Sequence, residues 1–385
     1  ARRSALALLR LAALEIPLRR VLTAEAVENA MLVHAACGGS TNLVLHLPAV
    51  ARAAGLEAPS VGDWQSASRA TPRLVDALPN GPQNHPTVRV FLAGGVPEIL
   101  LHLRRMDLLN LGVLTVTGET LGQTLDWWEG SARRRRLKVQ LRQQDGVDPN
   151  DVIMDPDAAR RRGLGGAAAF PVGNLAPGGS VVKATAIDSS VIEDEVYCHR
   201  GPARVFTSEA AAVAAIKGLT DPPVREGDVV VIVGLGPRGT GMEETYQVTS
   251  ALKFLPWGKS VAVVTDGRFS GVSTGACVGH VSPEALAGGP LGRLRDGDLV
   301  EIRIDRRALE GRVDLVGTAE GPLSADEARR VLDSRPPHPD LAPRSDLPAD
   351  TRLWAVLQEA SGGIWAGGVY DPEMIADALE GPEGE

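Results

Sequence analysis

Acidic, guanidinium and hydroxyl side chains gather among glycines in one stretch of this sequence, Gly234 to His280. Glu243 and Glu244 follow the first glycine-rich turn, and Asp266, Arg268, Ser270, Ser273 and Thr274 fill the second. A carboxylate beside a glycine turn suits a hard cation, which binds oxygen ligands and tolerates one or two carboxylates. A serine hydroxyl is a poor base unless a metal, an arginine or backbone amides stabilise its alkoxide. Ser270 has no adjacent histidine to activate it, and Arg268 and Val272 keep it out of a Gly-x-Ser-x-Gly elbow. A third polar turn, Cys-Gly-Gly-Ser-Thr-Asn at Cys37–Asn42, offers Ser40, Thr41 and Asn42 as further site groups.

The elements that must position these groups can be read from apolar runs and turn residues. A buried strand over Asp228–Val233 enters the first glycine turn, a helix over Glu243–Phe254 follows, and an apolar strand over Ser260–Thr265 ends at Asp266. Gly234, Gly236 and Gly239 match the dinucleotide fingerprint, with Asp266 roughly where a ribose-binding acid would stand. Against that reading, Glu243 and Glu244 are expected in the first turn of the helix. A pyrophosphate needs unopposed positive potential there, and a like-charge contact at 4 Å costs about 4 kcal/mol at an effective dielectric of about 20. The simpler role of two glutamates at that place is to complement the helix dipole.

At 385 residues the chain is long enough for two or three domains, and its 44% apolar content is ordinary for a globular protein. With 43 glycines and 27 prolines, turns should outnumber long helices. The net charge of −8 argues against nucleic acid or an acidic membrane as partner and suits a cytoplasmic enzyme. Cys37, Cys198 and Cys277 are far apart and are read as buried free thiols rather than a disulfide or zinc framework. The first residues, from Ala1 onward, read as an amphipathic helix, because Arg10 interrupts the apolar run and no signal-cleavage site follows. The absence of Met at position 1 allows that the chain is a piece of a longer one.

Residues 1–130 are expected to be mainly helical, with a helical pattern over Thr23–Ala54 broken at Cys37–Asn42, and another over Val88–Leu103 broken at Gly94–Gly95. Residues 131–164, with Arg133–Lys138 reading RRRRLK, are expected to be a basic, solvated linker; the run lacks the interleaved aromatics of a nucleic-acid patch. Residues 165–385 carry short strand patterns at Ser180–Ile187, Ala203–Phe206, Asp228–Val233, Ser260–Thr265, Leu299–Ile304 and Gly311–Val316, with a helix at Ser208–Lys217. Ser324 and Glu327 form a capping box that opens a helix over 325–334. The fold class is therefore α/β, with a barrel or compact sheet and helices outside it. Trp354 and Trp365, near the end, read as packing anchors.

Six motifs, in order along nearly the whole chain, carry a family resemblance: LTAEAVENA…HAACGGSTN, HPTVRVFLAGGVPEIL, FPVGNLAPGGSVVKATAID, GPRGTGMEETYQVTSALK, TDGRFSGVSTGACVGHVSPEALAGGP and RLWAVLQEASGGIWAGGVYD. The chain resembles the dihydroxy-acid and sugar-acid dehydratases, most of all the D-xylonate dehydratase branch. The resemblance implies a hydro-lyase that converts a sugar acid to a 2-keto-3-deoxy acid, using Mg2+ and a two-iron, two-sulfur (2Fe-2S) cluster. It implies Ser270 as proton-abstracting base and Glu244 as magnesium ligand, with Arg268, Thr274, Ser40, Thr41 and Asn42 lining the site. By the same resemblance residues 1–130 are the C-terminal portion of an α/β cluster-binding domain, and residues 165–385 a barrel-like domain with flanking helices. A homo-oligomer, dimer or tetramer, is also implied. The family's three cluster cysteines, its other acidic magnesium ligand and a modified lysine lie on motifs before the region where this chain starts, and none of the three cysteines here matches them. The chain is thus expected to be the C-terminal portion of a dehydratase, inactive alone. Dihydroxy-acid dehydration in branched-chain amino-acid synthesis, another aldonate, or a non-catalytic remnant or binding subunit are the other readings.

Overall fold

The computed structural model describes residues 2–78, 81–270, 275–358 and 361–380. The chain divides into two compact units, one of residues 1–39, 50–57 and 66–167, the other of residues 40–49, 58–65 and 168–385.

The first unit is helical. Helices span Arg2–Ala13, Ala24–Cys37, Thr87–Ala93, Gly95–Arg105, Leu121–Gly130 and Ala132–Asp145. Their ends follow capping chemistry. Thr23 accepts from the Ala26 N–H, Thr120 and Gln123 form a reciprocal capping box, and Gly38 closes its helix at φ 62°, a left-handed value that favours glycine. Leu32, Ala36, Leu74, Ile99, Leu101, Leu103, Leu125 and Leu141 are buried; each large apolar side chain so placed contributes roughly 1.5–3 kcal/mol. The unit does not end at residue 130. Residues 131–164, expected as a linker, belong to it: Ser131 caps the Ala132–Asp145 helix, and that helix buries Leu137 and Leu141. The basic run is amphipathic in charge as well, since Arg134 and Lys138 turn inward onto the buried Glu98.

Among the described residues the second unit has twelve strands: β1 (Ala168–Ala169), β2 (Gly179–Lys183), β3 (Ile192–Glu193), β4 (Val196–Phe206), β5 (Val229–Ile232), β6 (Glu244–Thr245), β7 (Ala262–Thr265), β8 (Arg268–Phe269), β9 (Cys277–Ser282), β10 (Leu299–Asp305), β11 (Glu310–Thr318) and β12 (Gly321–Pro322). Among the described residues, ten of them form one sheet in the order β1-β2-β9-β7-β5-β4-β10-β11-β12, with β3 on β4. The centre, β4-β5-β7-β9, is parallel and the flanks are antiparallel. All four residues of β5 and of β7 are buried, as expected of strands covered on both faces. The sheet curls. Past β1, Val172 exchanges backbone hydrogen bonds with Gly311 and Val313 of β11, and the Leu175 N–H donates to Val313. Val182, Tyr197, Val231, Val264, Val278, Ile302, Val313 and Leu332 share one core.

Each of the six strand patterns expected in this unit overlaps a strand, and the capping box of Ser324 and Glu327 opens the helix Ala325–Ser334. Strand β9, inserted between β7 and β2, had no expected counterpart, because its Cys-Val-Gly-His-Val-Ser sequence carries glycine in the middle. The helix expected from Glu243 starts at Gln247 instead. Glu244 and Thr245 pair in parallel with Arg268 and Phe269, which pulls them out of helical geometry. The Glu209 carboxylate then takes the N-terminal role, accepting from the N–H groups of Gln247 and Val248 at 2.6 and 3.1 Å. Trp354 and Trp365 pack against Tyr370 and Phe170, with ring centroids 6.1 and 6.3 Å apart.

Candidate active site

The carboxyl ends of β5 and β7 are where an α/β sheet places its ligand-binding turns. From β5 the chain passes through Gly234–Thr240 to β6; from β7 it passes through Asp266 and Gly267 to β8 and Ser270. The β6–β8 pairing sets Glu244 directly opposite Arg268. Arg268 is anchored from behind: its Nε donates to the Met242 carbonyl at 2.7 Å and its backbone N–H to the Glu243 carbonyl at 3.0 Å. Its Nη1 stands 3.8 Å from Glu244 Oε2, a loose ion pair. The Asn42 amide donates to the same oxygen at 3.4 Å. Ser270 follows β8 directly and is buried.

Glu244, Arg268 and Asn42 are therefore brought together, with Ser270 two residues from Arg268. Ser40 and Thr41 shape the turn: Ser40 Oγ accepts from the Asn42 N–H at 3.3 Å, and the Thr41 carbonyl accepts from Val44 at 3.1 Å. Thr41 is buried, and neither of these contacts reaches Glu244 or Ser270. Thr274 and Ser273 lie outside the described residues. Glu243 points elsewhere, into an ion pair with Arg344 at 2.8 Å. Leu45, Met242 and Ile364 pack together with Trp365 against them, so the C-terminal tail braces the two segments that carry Asn42 and Glu244.

The glycine fingerprint turns out to be filled from within. Asp266 is fully buried and accepts from the N–H groups of Gly234, Leu235 and Ala285 at 3.1, 2.9 and 2.9 Å. Glu284, also buried, accepts from the Arg238 N–H at 3.1 and 3.0 Å. A Cβ on Gly236 would strike the Glu284 carboxylate, and one on Gly239 the Gly234 carbonyl. These glycines permit close packing, and two carboxylates occupy the place a pyrophosphate would need. Burial raises the Asp266 pKa against the opposing pull of its N–H donors. Burial, then the Asp266 charge, pushes Glu284 up to about 8. The dinucleotide reading fails on this geometry rather than on glutamates at a helix start.

Fit to the implied cofactors divides in two. Glu244 offers one half-exposed carboxylate with loosely held lone pairs, and Asn42 Oδ1 is a buried oxygen with no hydrogen-bond partner among the described residues. Magnesium takes one or two such oxygens and fills the rest of its octahedron with water and substrate, so these residues suit it as part of a set. Among the described residues no group of three or more His, Cys, Asp or Glu could hold a metal by itself. The cysteines do not suit an iron–sulfur cluster. Cys37 is half-buried on a helix, Cys198 is exposed on β4, and Cys277 is buried on β9. Burial pushes the Cys37 thiol up to about 11 and the Cys277 thiol higher still, whereas a cluster needs thiolates. Exposure of Cys198 also corrects the expectation that all three thiols are buried.

One buried group near this site went unread in the sequence. His280 on β9 has both ring nitrogens without a hydrogen-bond partner among the described residues. Its only sequence signal was its place ten residues after Ser270, between glycine and valine.

Residues 1–124 match the N-terminal model, and residues 152–334 the C-terminal model, of the dihydroxy-acid/6-phosphogluconate dehydratases. The chain belongs to this family. Within it, the chain is 57% identical over 380 residues to D-xylonate dehydratase YagF of Escherichia coli K12, covering 98% of this chain and 58% of that protein. It is 56% identical over 382 residues to D-xylonate dehydratase YjhG of the same organism, with the same coverage. A dihydroxy-acid dehydratase of Roseiflexus castenholzii is 41% identical over 347 residues, 90% of this chain and 54% of that one. The chain thus spans less than two thirds of the length of these relatives.

Proposed function

We propose that the protein of which this chain is part is a sugar-acid dehydratase, a hydro-lyase that takes D-xylonate to its 2-keto-3-deoxy acid. The observation that carries the reading is the union of Glu244, Arg268 and Asn42, with the buried Ser270 two residues along the chain from Arg268, after the ends of two parallel strands. The higher identity to proteins named for D-xylonate than to dihydroxy-acid dehydratases supports the substrate.

In this reading the Ser270 alkoxide takes the proton from the carbon next to the carboxylate, the hydroxyl on the following carbon departs with that proton as water and regenerates the alkoxide, and the resulting enol tautomerises to the keto acid. Arg268, fixed by Met242 and Glu243, presents positive charge beside Glu244 and favours an anionic substrate. Glu244, with Asn42, would hold Mg2+, which when bound supplies charge that lowers the cost of ionising a hydroxyl. The 2Fe-2S cluster implied by the resemblance finds no suitable ligands among this chain's cysteines. The helical unit is then part of the family's cluster-binding domain and the sheet unit its barrel-like domain. A homo-oligomer in the cytoplasm completes the reading. No helix among the described residues is long and apolar enough to cross a membrane.

The test is Ser270→Ala in the full-length protein, assayed with D-xylonate and magnesium. A positioned base contributes roughly 10²–10⁴-fold, so turnover should fall at least about a hundredfold while the cluster's visible absorption stays intact. Turnover within a few-fold of the unsubstituted protein would remove Ser270 from the chemistry.

A further inference from the structure

His280 is fully buried, and its backbone sits at φ 54°, in the left-handed region. Histidine is one of the few non-glycine types enriched in that region, and residues held there cluster at functional sites. The surroundings here are specific. The His280 N–H donates to the Gly267 carbonyl at 2.9 Å. Its ring meets Phe269 edge-on, with centroids 6.3 Å apart and planes at 75°. Neighbouring Gly279 lacks the Cβ that would strike the Phe269 ring. The imidazole is thereby held against the residue that immediately precedes Ser270.

Both Nδ1 and Nε2 of this ring are buried without a hydrogen-bond partner among the described residues. Native proteins rarely leave a buried polar atom unmet, and two on one side chain call for a missing partner. Burial, followed by the charges of Arg268 and His46, holds the ring's proton affinity down to about 3, so the imidazole is neutral. A neutral imidazole has one N–H to donate and one lone pair to accept. A carboxylate only accepts and an ammonium only donates, so either would leave one nitrogen unmet. Hydroxyl groups do both. Arg268 already serves a carboxylate, which leaves the uncharged ring suited to the polyol part of the same molecule.

We propose that His280 is a substrate-binding residue of the Ser270 site, its ring hydrogen-bonding hydroxyl groups of a polyhydroxy acid. This rests on the functional reading above and adds to it the residue that reads hydroxyls.

The decisive variant is His280→Phe in the full-length, magnesium-loaded protein. Phenylalanine keeps an aromatic ring against Phe269 and removes both nitrogens, and replacing unmet polar atoms by an apolar group of similar shape is neutral or stabilising. A packing role therefore predicts unchanged or higher thermal stability with unchanged kinetics. The inference predicts the same stability with kcat/KM for D-xylonate reduced about tenfold, as for a lost ligand hydrogen bond. The loss should fall mainly on KM, because the contact is present before and during reaction. Kinetics within twofold of the unsubstituted protein overturn it. A second measurement does not depend on that variant folding: a crystal structure of the full-length Ser270→Ala protein with D-xylonate. A substrate hydroxyl within about 3.2 Å of a His280 ring nitrogen supports the inference; a ring met only by water or protein atoms beside bound xylonate overturns it. If the unsubstituted protein does not turn D-xylonate over, the functional reading itself falls, whereas normal turnover that ignores position 280 removes only the role of His280.

Discussion

Glu98 in the helical unit and Glu244 in the sheet unit each face an arginine, and they are held in opposite ways. Glu98 has 3% of its side chain exposed and receives Arg134 at both oxygens, 2.7 Å each, with Lys138 at 2.8 Å. Glu244 is 34% exposed, with Arg268 at 3.8 Å and the Asn42 amide at 3.4 Å. The first carboxylate is saturated by short, charge-assisted bonds. The second keeps lone pairs to spare at distances that a cation between the groups would reorganise. An arginine–glutamate pair is a structural bolt in one place and a candidate binding group in the other, and the spacing tells them apart.

The largest effect that would sharpen this contrast is expected from Glu98→Gln. Removing one partner leaves Arg134 and Lys138 charged and mostly buried, and breaking such a cluster costs about 3 kcal/mol or more. Chemical denaturation should show it, and a loss under about 1 kcal/mol would mean the cluster is not a bolt. The pH dependence has a definite sign. Burial works against ionisation of Glu98, but the hydrogen bonds and charges of Arg134 and Lys138 win and hold its pKa to about 2. Its contribution is therefore present above the ordinary value of 4.5 and fades as pH falls toward 2.

Glu284 should behave in the reverse sense. Its pKa is raised from 4.5 to about 8, so its stabilising share is full below about pH 4.5 and lost as pH rises through 8. Glu284→Gln should flatten the stability profile between those limits, measured by denaturant midpoint against pH; an unchanged slope would place the titration elsewhere. Glu244→Gln should alter stability least, by under about 1 kcal/mol, as for other half-exposed pairs. It should instead raise the magnesium concentration needed for half-maximal activity and lower the rate. An unchanged magnesium titration would make Glu244 as structural as Glu98.

Much of this was legible in the sequence where local rules govern. Strands β5, β7, β10 and β11 announced themselves as β-branched or alternating runs, and Ser324 with Glu327 marked a helix start because a cap is satisfied within four residues. Apart from β9, masked by its own glycine, the main misreadings were non-local. Glu244 seemed to start a helix because local propensity cannot see its pairing with Arg268, 24 positions on. The run RRRRLK seemed solvated because its buried partner, Glu98, lies in another helix. The glycine fingerprint looked ready for a phosphate because the carboxylates that fill it come from positions 266 and 284.

By itself the sequence determined the α/β class, half of the strands, the family, and Ser270 and Glu244 as groups worth testing. Those depend on short-range periodicity, turn chemistry and motif order, which the chain carries in linear form. Tertiary structure alone decided which acids are saturated and which are free, because that depends on distances between remote segments. It also decided that His280 is buried and left-handed, with no ring hydrogen-bond partner among the described residues, since burial and unmet hydrogen bonds are properties of a packed environment and have no linear signature.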